Sequence, residues 1–419
     1  MRRGADRGRG SLARRNRRSP VACYDWAARM TNDKRTLAVC SAAHTLHDGL
    51  ADATYVLLPL LASAFGLSLS QVGVIRGAHR AAMATFQIPA GIVAERTSER
   101  GLLALGTFLA GTAFVALGFA QGFWAVLAAL FLAGLGSSVQ HPLSSALISR
   151  AYPGAGRRAA LGTYNFAGDV GKFAFGGLVS LLLVVGVSWH VPVIGFGAAA
   201  LAVALALLLG VGAVVRAAKP ATASVRARSG WGIVDRTRFG ALCAIEVLDS
   251  STRTSFLTFI AFLLIAKGLP VGWAAAAVPL VLVGGMAGKL ACGMLAERLG
   301  VARMIVATEI ATAAGIGAVL WLPPVAALLV LPLLGVVLQG TSSVLYATIG
   351  EYVDAERLSR GFGLFYTVGS VCGIVAPLAF GLLGDRFGVG AAIAALCATI
   401  LLTLPLVPLL RPAAAVPQS

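Results

Sequence analysis

Twelve runs of mostly apolar residues, each long enough to span a bilayer, limit this chain more than any other feature. They cover about 37–60, 71–93, 101–119, 123–147, 159–184, 191–215, 239–264, 273–295, 303–321, 325–349, 361–383 and 389–410. A spanning helix needs about 20 such residues at 1.5 Å each. In lipid a backbone cannot hydrogen-bond to solvent, so runs of this kind become helices. The composition agrees: 58% of the 419 residues are hydrophobic and only 12% charged, about half the charged share of a soluble domain.

Most connections between the runs are short. The one long break, 216–238, is basic, rich in Pro, Ser and Ala, and aperiodic. It divides the chain into a basic N-terminal tail (1–36, expected to be disordered), a first six-helix bundle (37–215), a linker, a second bundle (239–410) and a short tail (411–419). The net charge of +17 would suggest nucleic-acid binding in a soluble chain. Here 27 of the 34 Lys and Arg fall on one side of the alternating spans. That side is cytoplasmic by the positive-inside rule. The basicity therefore predicts topology, with both termini inside, and no nucleic-acid partner.

The arginines of the N-terminal tail precede an apolar run, as in an export signal, but that run holds His44, His47, Asp48 and Asp52, which a signal core would not. Met30 is an alternative start. The six cysteines are scattered without CxxC spacing, so neither a disulfide framework nor a metal site is expected. With no GxxxxGK loop and no soluble domain, no cofactor and no enzyme activity are expected.

The two sets of six runs repeat one another. GIVAERTSER from Gly91 is matched by GMLAERLGVAR from Gly293 at an offset of 202. SSVQHP from Ser137 and SSVLYA from Ser342 set His141 opposite Tyr346 at 205. Asp48 and Asp52 correspond to Asp249 and Arg253 at 201, as Gly162 and Gly168 do to Gly363 and Gly369. Matches that keep one order and nearly one offset point to parallel repeats around a central cavity.

The loops from Gly91 and Gly293 resemble the signature loop of the major facilitator superfamily. The first copy has Glu95, Ser98 and Glu99 where that pattern has Asp, Gly and a basic residue; the second has Glu297 but keeps Gly300. The resemblance implies gate-forming roles for Gly91, Glu95, Arg96, Arg100, Gly293, Glu297 and Arg298. A further GLLGDRFG at Gly381 falls on the opposite face and is given no cytoplasmic role. His44, Asp48 and the PLL at Pro59, GSSVQHPLSS from Gly136 and GTYNFAGDVGK from Gly162 are similar to fosmidomycin-resistance type efflux permeases. That kinship implies proton-driven export of a small molecule.

Charge inside a bilayer is costly and turns toward the bundle interior. Runs 3, 6 and 12 carry no charged residue or His and should face lipid; the polar runs should line the cavity. On the first run His44, His47, Asp48 and Asp52 follow helical spacing and share a face. Glu246, Asp249 and Arg253 repeat this on the seventh, and Asn165, Asp169 and Lys172 do so on the fifth. Carboxylates beside histidines suit proton binding, which makes Asp48, His44, His47, Asp52, Asp249, Glu246 and Asp169 proton-coupling candidates. Arg76, Arg80, His141, Asn165, Lys172, Arg253 and Tyr346 are substrate-binding candidates.

Structural readings stand beside these. Asp52 and Arg253 would bridge the two halves, Asp169 and Lys172 would neutralise each other within one helix, and Arg76 and Arg80 would reach outward to the interface. Lys289 and Glu309 are isolated charges. The expectation is a monomeric, proton-coupled secondary transporter in a bacterial inner membrane, exporting a small molecule, with import of a small organic anion as the alternative. A non-transporting sensor and an intramembrane enzyme are more remote alternatives.

Overall fold

The computed structural model describes residues 20–152, 156–209, 231–354 and 358–410, with the side chains of 20–31, 91, 95, 96, 158, 358 and 359 outside that description. Most of the linker and the C-terminal tail lie outside it too. The described chain is helical: α1 (Pro20–Phe65), α2 (Leu69–Arg96), α3 (Glu99–Leu117), α4 (Phe123–Ser137), α5 (Gln140–Ala151), α6 (Gly156–Val184) and α7 (His190–Leu209). After the linker come α8 (Arg236–Ala266), α9 (Val271–Ala274), α10 (Ala277–Leu299), α11 (Val301–Trp321), α12 (Pro324–Tyr352), α13 (Leu358–Phe387), α14 (Val389–Leu401) and a terminal 3-10 turn (Leu404–Leu410).

Ten described segments are long and apolar enough to cross a membrane. α4 with α5, α9 with α10, and α14 with the 3-10 turn each count as one. α1 and α2, at 46 and 28 residues, are not among the ten; they carry His44, His47, Asp48, Asp52, Arg76, His79 and Arg80. The fourth and eighth runs, expected to be continuous, are interrupted. Pro142 and Pro279 each sit in the first turn of the restarted helix, where a missing N–H costs nothing. Two prolines, Pro405 and Pro408, accompany the 3-10 turn at the end of the last run.

α1 starts at Pro20, so residues 20–36 of the expected disordered tail are helical. Pro at the first position and the Ala-rich stretch after it favour a helix. His190 begins α7.

Within the first set of helices α1 packs on α6, α3 on α7 and α2 on α4; within the second, α10 packs on α12, α11 on α12 and α14, and α8 on α13. The sets meet through α2 with α13, α6 with α9 and α10, and α1 with α8. One apolar core draws residues from both sets, from Leu46 to Leu396. Two further cores do not cross: Cys40 to Leu207 in the first set and Phe239 to Leu410 in the second.

The sets are thus joined toward one end and have separate interiors toward the other. At the joined end a Cβ on Gly73, Gly77 or Gly381 would overlap the backbone of Pro377, Ile374 or Leu69. Only glycine allows that approach. Asp385, near the end of α13, accepts hydrogen bonds from the backbone N–H groups of Leu69 (2.6 Å) and Ser70 (3.0 Å) at the start of α2. The GLLGDRFG segment therefore clasps the two sets at this end. Beside it, Lys267 follows α8 and donates to the carbonyls of Val319 (2.8 Å) and Leu322 (2.6 Å) at the end of α11. Partial burial lowers the pKa of its ammonium.

Candidate functional site

Asp48 is the hub. It is buried on α1, with one carboxylate oxygen 3.1 Å from His44 Nε2 and 3.1 Å from Lys172 Nζ, and the other 3.5 Å from His141 Nε2. α6 supplies Lys172, and α5 supplies His141 just after its break. His44 lies flat against Tyr164, ring centroids 4.0 Å apart, and its Nδ1 is 2.8 Å from the Tyr164 carbonyl oxygen. Gly168 makes the space: a Cβ there would stand 2.5 Å from His44 Cε1 and 2.8 Å from an Asp48 oxygen.

The chain of charges continues across the molecule. Lys172 also reaches Asp169 at 3.1 Å, and Lys289 of α10 holds both oxygens of Asp169 at 2.8 and 2.9 Å. His44, Asp48, Lys172, Asp169 and Lys289 thus form one connected line from α1 through α6 to α10. Helical spacing makes Asp169 and Lys172 a local pair; Lys289 turns that pair into a link between the two sets. No repeat match marks Lys289, so the sequence does not single it out.

His47 leaves the shared face. Its ring nitrogens meet Ser137 Oγ (3.1 Å) and Thr107 Oγ1 (3.0 Å) on α4 and α3. Adjacent helical residues point about 100° apart, and this is enough to send His47 toward α3 and α4 while Asp48 meets α5 and α6. Asp52 and Arg253 do not bridge. Asp52 lies 3.7 Å from Arg76, whereas Arg253 lies 3.4 Å from Asp249 and 3.8 Å from Glu246, both on its own helix.

Arg76 does not reach outward. It is only 2% exposed, stacks on the Tyr55 ring at 3.7 Å and donates to Thr54 Oγ1 (3.0 Å) and the Ala51 carbonyl (3.2 Å). Arg80 is different. It lies half-buried against Gly373 of α13, with a buried Nε lacking a partner, and forms no ion pair among the described residues. Asn165 is exposed. Tyr346 packs near Tyr366 and Phe365, at 5.0 and 5.6 Å.

His79 carries no signal in the sequence pattern. It is buried, with Nδ1 2.9 Å from the Leu130 carbonyl oxygen, and joins α2 to α4. Of the gate motif, the side chains of Gly91, Glu95 and Arg96 lie outside the described residues. Arg100 donates to the Leu208 carbonyl near the end of α7 (3.1 Å), a favourable place for a cation. Glu99 pairs with Arg150 of α5. Gly293 and Glu297 border a cleft of about 840 Å³ with Arg303 and Glu351, away from the Asp48 hub, and Arg298 is exposed nearby.

The ligand atoms of His44, Asp48 and His141 lie within 4.8 Å of one another, close enough to hold a metal ion. Lys172, however, already supplies positive charge to the same carboxylate.

The sequence model of the Major Facilitator Superfamily matches residues 40–342. The chain belongs to that superfamily. Its apolar helices make it an integral membrane protein, and the superfamily it belongs to is one of transporters rather than enzymes. Solved structures of transporters share its fold. A bacterial homologue of the human lysosomal transporter Spinster, in an inward-facing, unoccupied conformation, has a TM-score of 0.68 at 16% identity, covering 90% of this chain and 95% of its own. The nucleoside transporter NupG reaches 0.71 at 12% identity, with 90% and 100% covered.

Among curated superfamily relatives, the fosmidomycin resistance protein of Escherichia coli (strain K12) is 30% identical over 162 residues, 38% of this chain and 39% of that protein. The uncharacterized transporter YfnC of Bacillus subtilis (strain 168) is 26% identical over 151 residues, 36% of each. The match thus spans well under half the length of either relative.

Proposed function

We propose that the chain is a proton-coupled exporter of a small organic molecule, working by alternating access between two six-helix bundles of a twelve-helix fold. The observation that carries this is the His44–Asp48 pair. With His44 Nδ1 donating to the Tyr164 carbonyl, a neutral imidazole would present its Nε2 lone pair to a carboxylate oxygen 3.1 Å away. Two acceptors at that distance repel, so a proton resides between them, on one or the other. Lys172 and His141 meet the same carboxylate, so moving either changes how firmly that proton is held. A substrate that draws Lys172 away would favour proton uptake, and the reverse would favour release. That exchange is antiport.

The relative whose name denotes resistance supports the outward direction. Import of a small organic anion is the second reading, favoured by the guanidinium of Arg80, which lacks an ion-pair partner among the described residues. The test is transport in sealed proteoliposomes of the purified chain, with fosmidomycin and a panel of phosphonates, organic acids and cationic drugs as probes. An acidic interior should accelerate probe accumulation severalfold over the no-gradient control. A rate indifferent to the gradient for every transported probe would sink proton coupling, and accumulation only when probe and protons move together would select the importer.

The basic loops support cytoplasmic termini in a bacterial inner membrane, and we read the protein as a monomer. The clasped end is then outside and the separated cores inside, an inward-open arrangement. In spheroplasts, a cysteine at position 188 should react with an impermeant maleimide from outside and one at position 225 only after permeabilisation. The reverse pattern would invert the topology.

A further inference from the structure

A third carboxyl lies near Arg253, away from the hub at Asp48. Glu309 on α11 is fully buried and neither of its oxygens has a hydrogen-bond partner. The charged groups that act on it electrostatically are Asp249, Arg253 and Glu246 of α8, none within ion-pair distance. One oxygen each of Glu246 and Asp249 is also buried without a hydrogen-bond partner, and Gly369 of α13 leaves room for the other Glu246 oxygen, as a Cβ there would stand 2.5 Å from it.

Arg253 thus reaches two carboxyls, at 3.8 and 3.4 Å, and leaves the third, Glu309, without an ion-pair partner. Among the described residues no other Lys, Arg or His lies within ion-pair distance of any of the three. α14 and the terminal 3-10 turn, which pack on α11, carry no Asp, Glu, Lys, Arg or His. α12 contributes Tyr346, which faces Arg253, Glu246 and Asp249. Lys289 of α10 is held by Asp169. An ionised carboxylate buried without a partner is far more costly than the neutral acid.

We propose that Glu309, together with Glu246 and Asp249, forms a second proton-binding site, separate from Asp48, in which Glu309 holds the proton as a neutral acid. Arg253 balances one of the two remaining carboxyls, and the pair shares the residual charge. The site binds a proton rather than a metal ion, since Arg253 occupies the space between the carboxyls of α8. It goes beyond the exporter reading, because a proton held at Glu309 does not depend on substrate or direction.

The test is infrared spectroscopy of the full-length protein in lipid at neutral pH. The wild type should show a carbonyl band of a protonated carboxylic acid, and growth on glutamate labelled with carbon-13 at the carboxyl should shift it. Glu309→Gln should remove the band and Asp48→Asn should leave it. A wild-type spectrum without a label-sensitive band, or a band that survives Glu309→Gln, overturns the proposal. The isotope shift is read in the wild type, so a poorly folding variant does not leave the question open. No transport is measured, so the result stands apart from the exporter reading.

Discussion

Asp48→Asn will leave substrate exchange across the membrane running while abolishing its drive by a pH gradient. The amide keeps the shape of the carboxyl and can still meet His44 and Lys172, but it cannot gain or lose a proton. A carrier fixed in the neutral form still alternates and so supports counterflow. Gradient-driven transport should fall by at least about tenfold, equivalent to about 1.4 kcal/mol of lost coupling. Asp169→Asn should behave otherwise. It strips Lys289 of both its carboxylate contacts and leaves Lys172 with Asp48 alone, so thermal stability and counterflow fall together. The paired assay is counterflow and gradient-driven uptake in proteoliposomes, with melting followed in detergent. Full gradient coupling in Asp48→Asn, with its loss in a stable Asp169→Asn protein, would move the proton site to α6.

Gly168→Ala should be as damaging as loss of the charged residues themselves. The new methyl would fall 2.5 Å from His44 Cε1, 2.7 Å from its Nε2 and 2.8 Å from an Asp48 oxygen. α6 must then withdraw from α1 or the pair must separate, and overpacking of this kind costs about 1–3 kcal/mol. The expected result is a lower melting temperature and loss of gradient-driven transport. Gly162 on the same helix is the control: nothing lies within 4 Å of a Cβ there, so Gly162→Ala should melt and transport as the wild type does. A Gly168→Ala protein with unaltered transport would mean that the close packing of His44 and Asp48 against α6 is not needed.

Much of this was legible in the sequence because lipid leaves few choices. Apolar length announces helices, and the charges of the first, fifth and seventh runs marked helix faces that carry buried ion pairs. The shared register of Gly168 and Gly369 also carried into the structure: each clears space for a carboxyl on the neighbouring helix, Asp48 and Glu246 respectively. What failed depended on rotation and on partners far along the chain. Helical spacing grouped His47 with Asp48, but a difference of about 100° delivered it to Ser137 and Thr107. The spacing of Asp249 and Arg253 allowed their pairing along one helix, but nothing in the spacing of Asp52 reveals that Arg76 is its neighbour. Lys289 meets Asp169 from a helix 120 positions away, and such a pairing leaves no local trace.

The clasp at Asp385 has a different consequence. The donors it accepts from are main-chain N–H groups, which every residue except proline provides. The clasp itself therefore needs an acidic side chain at 385 but no particular side chain at 70, whereas Leu69 also packs on the apolar core. Reshaping the mouth of the transporter by changing position 70 should then be tolerated far better than changing the end of α13. That asymmetry suits directed evolution: a library placed at 70 would leave the closure itself intact.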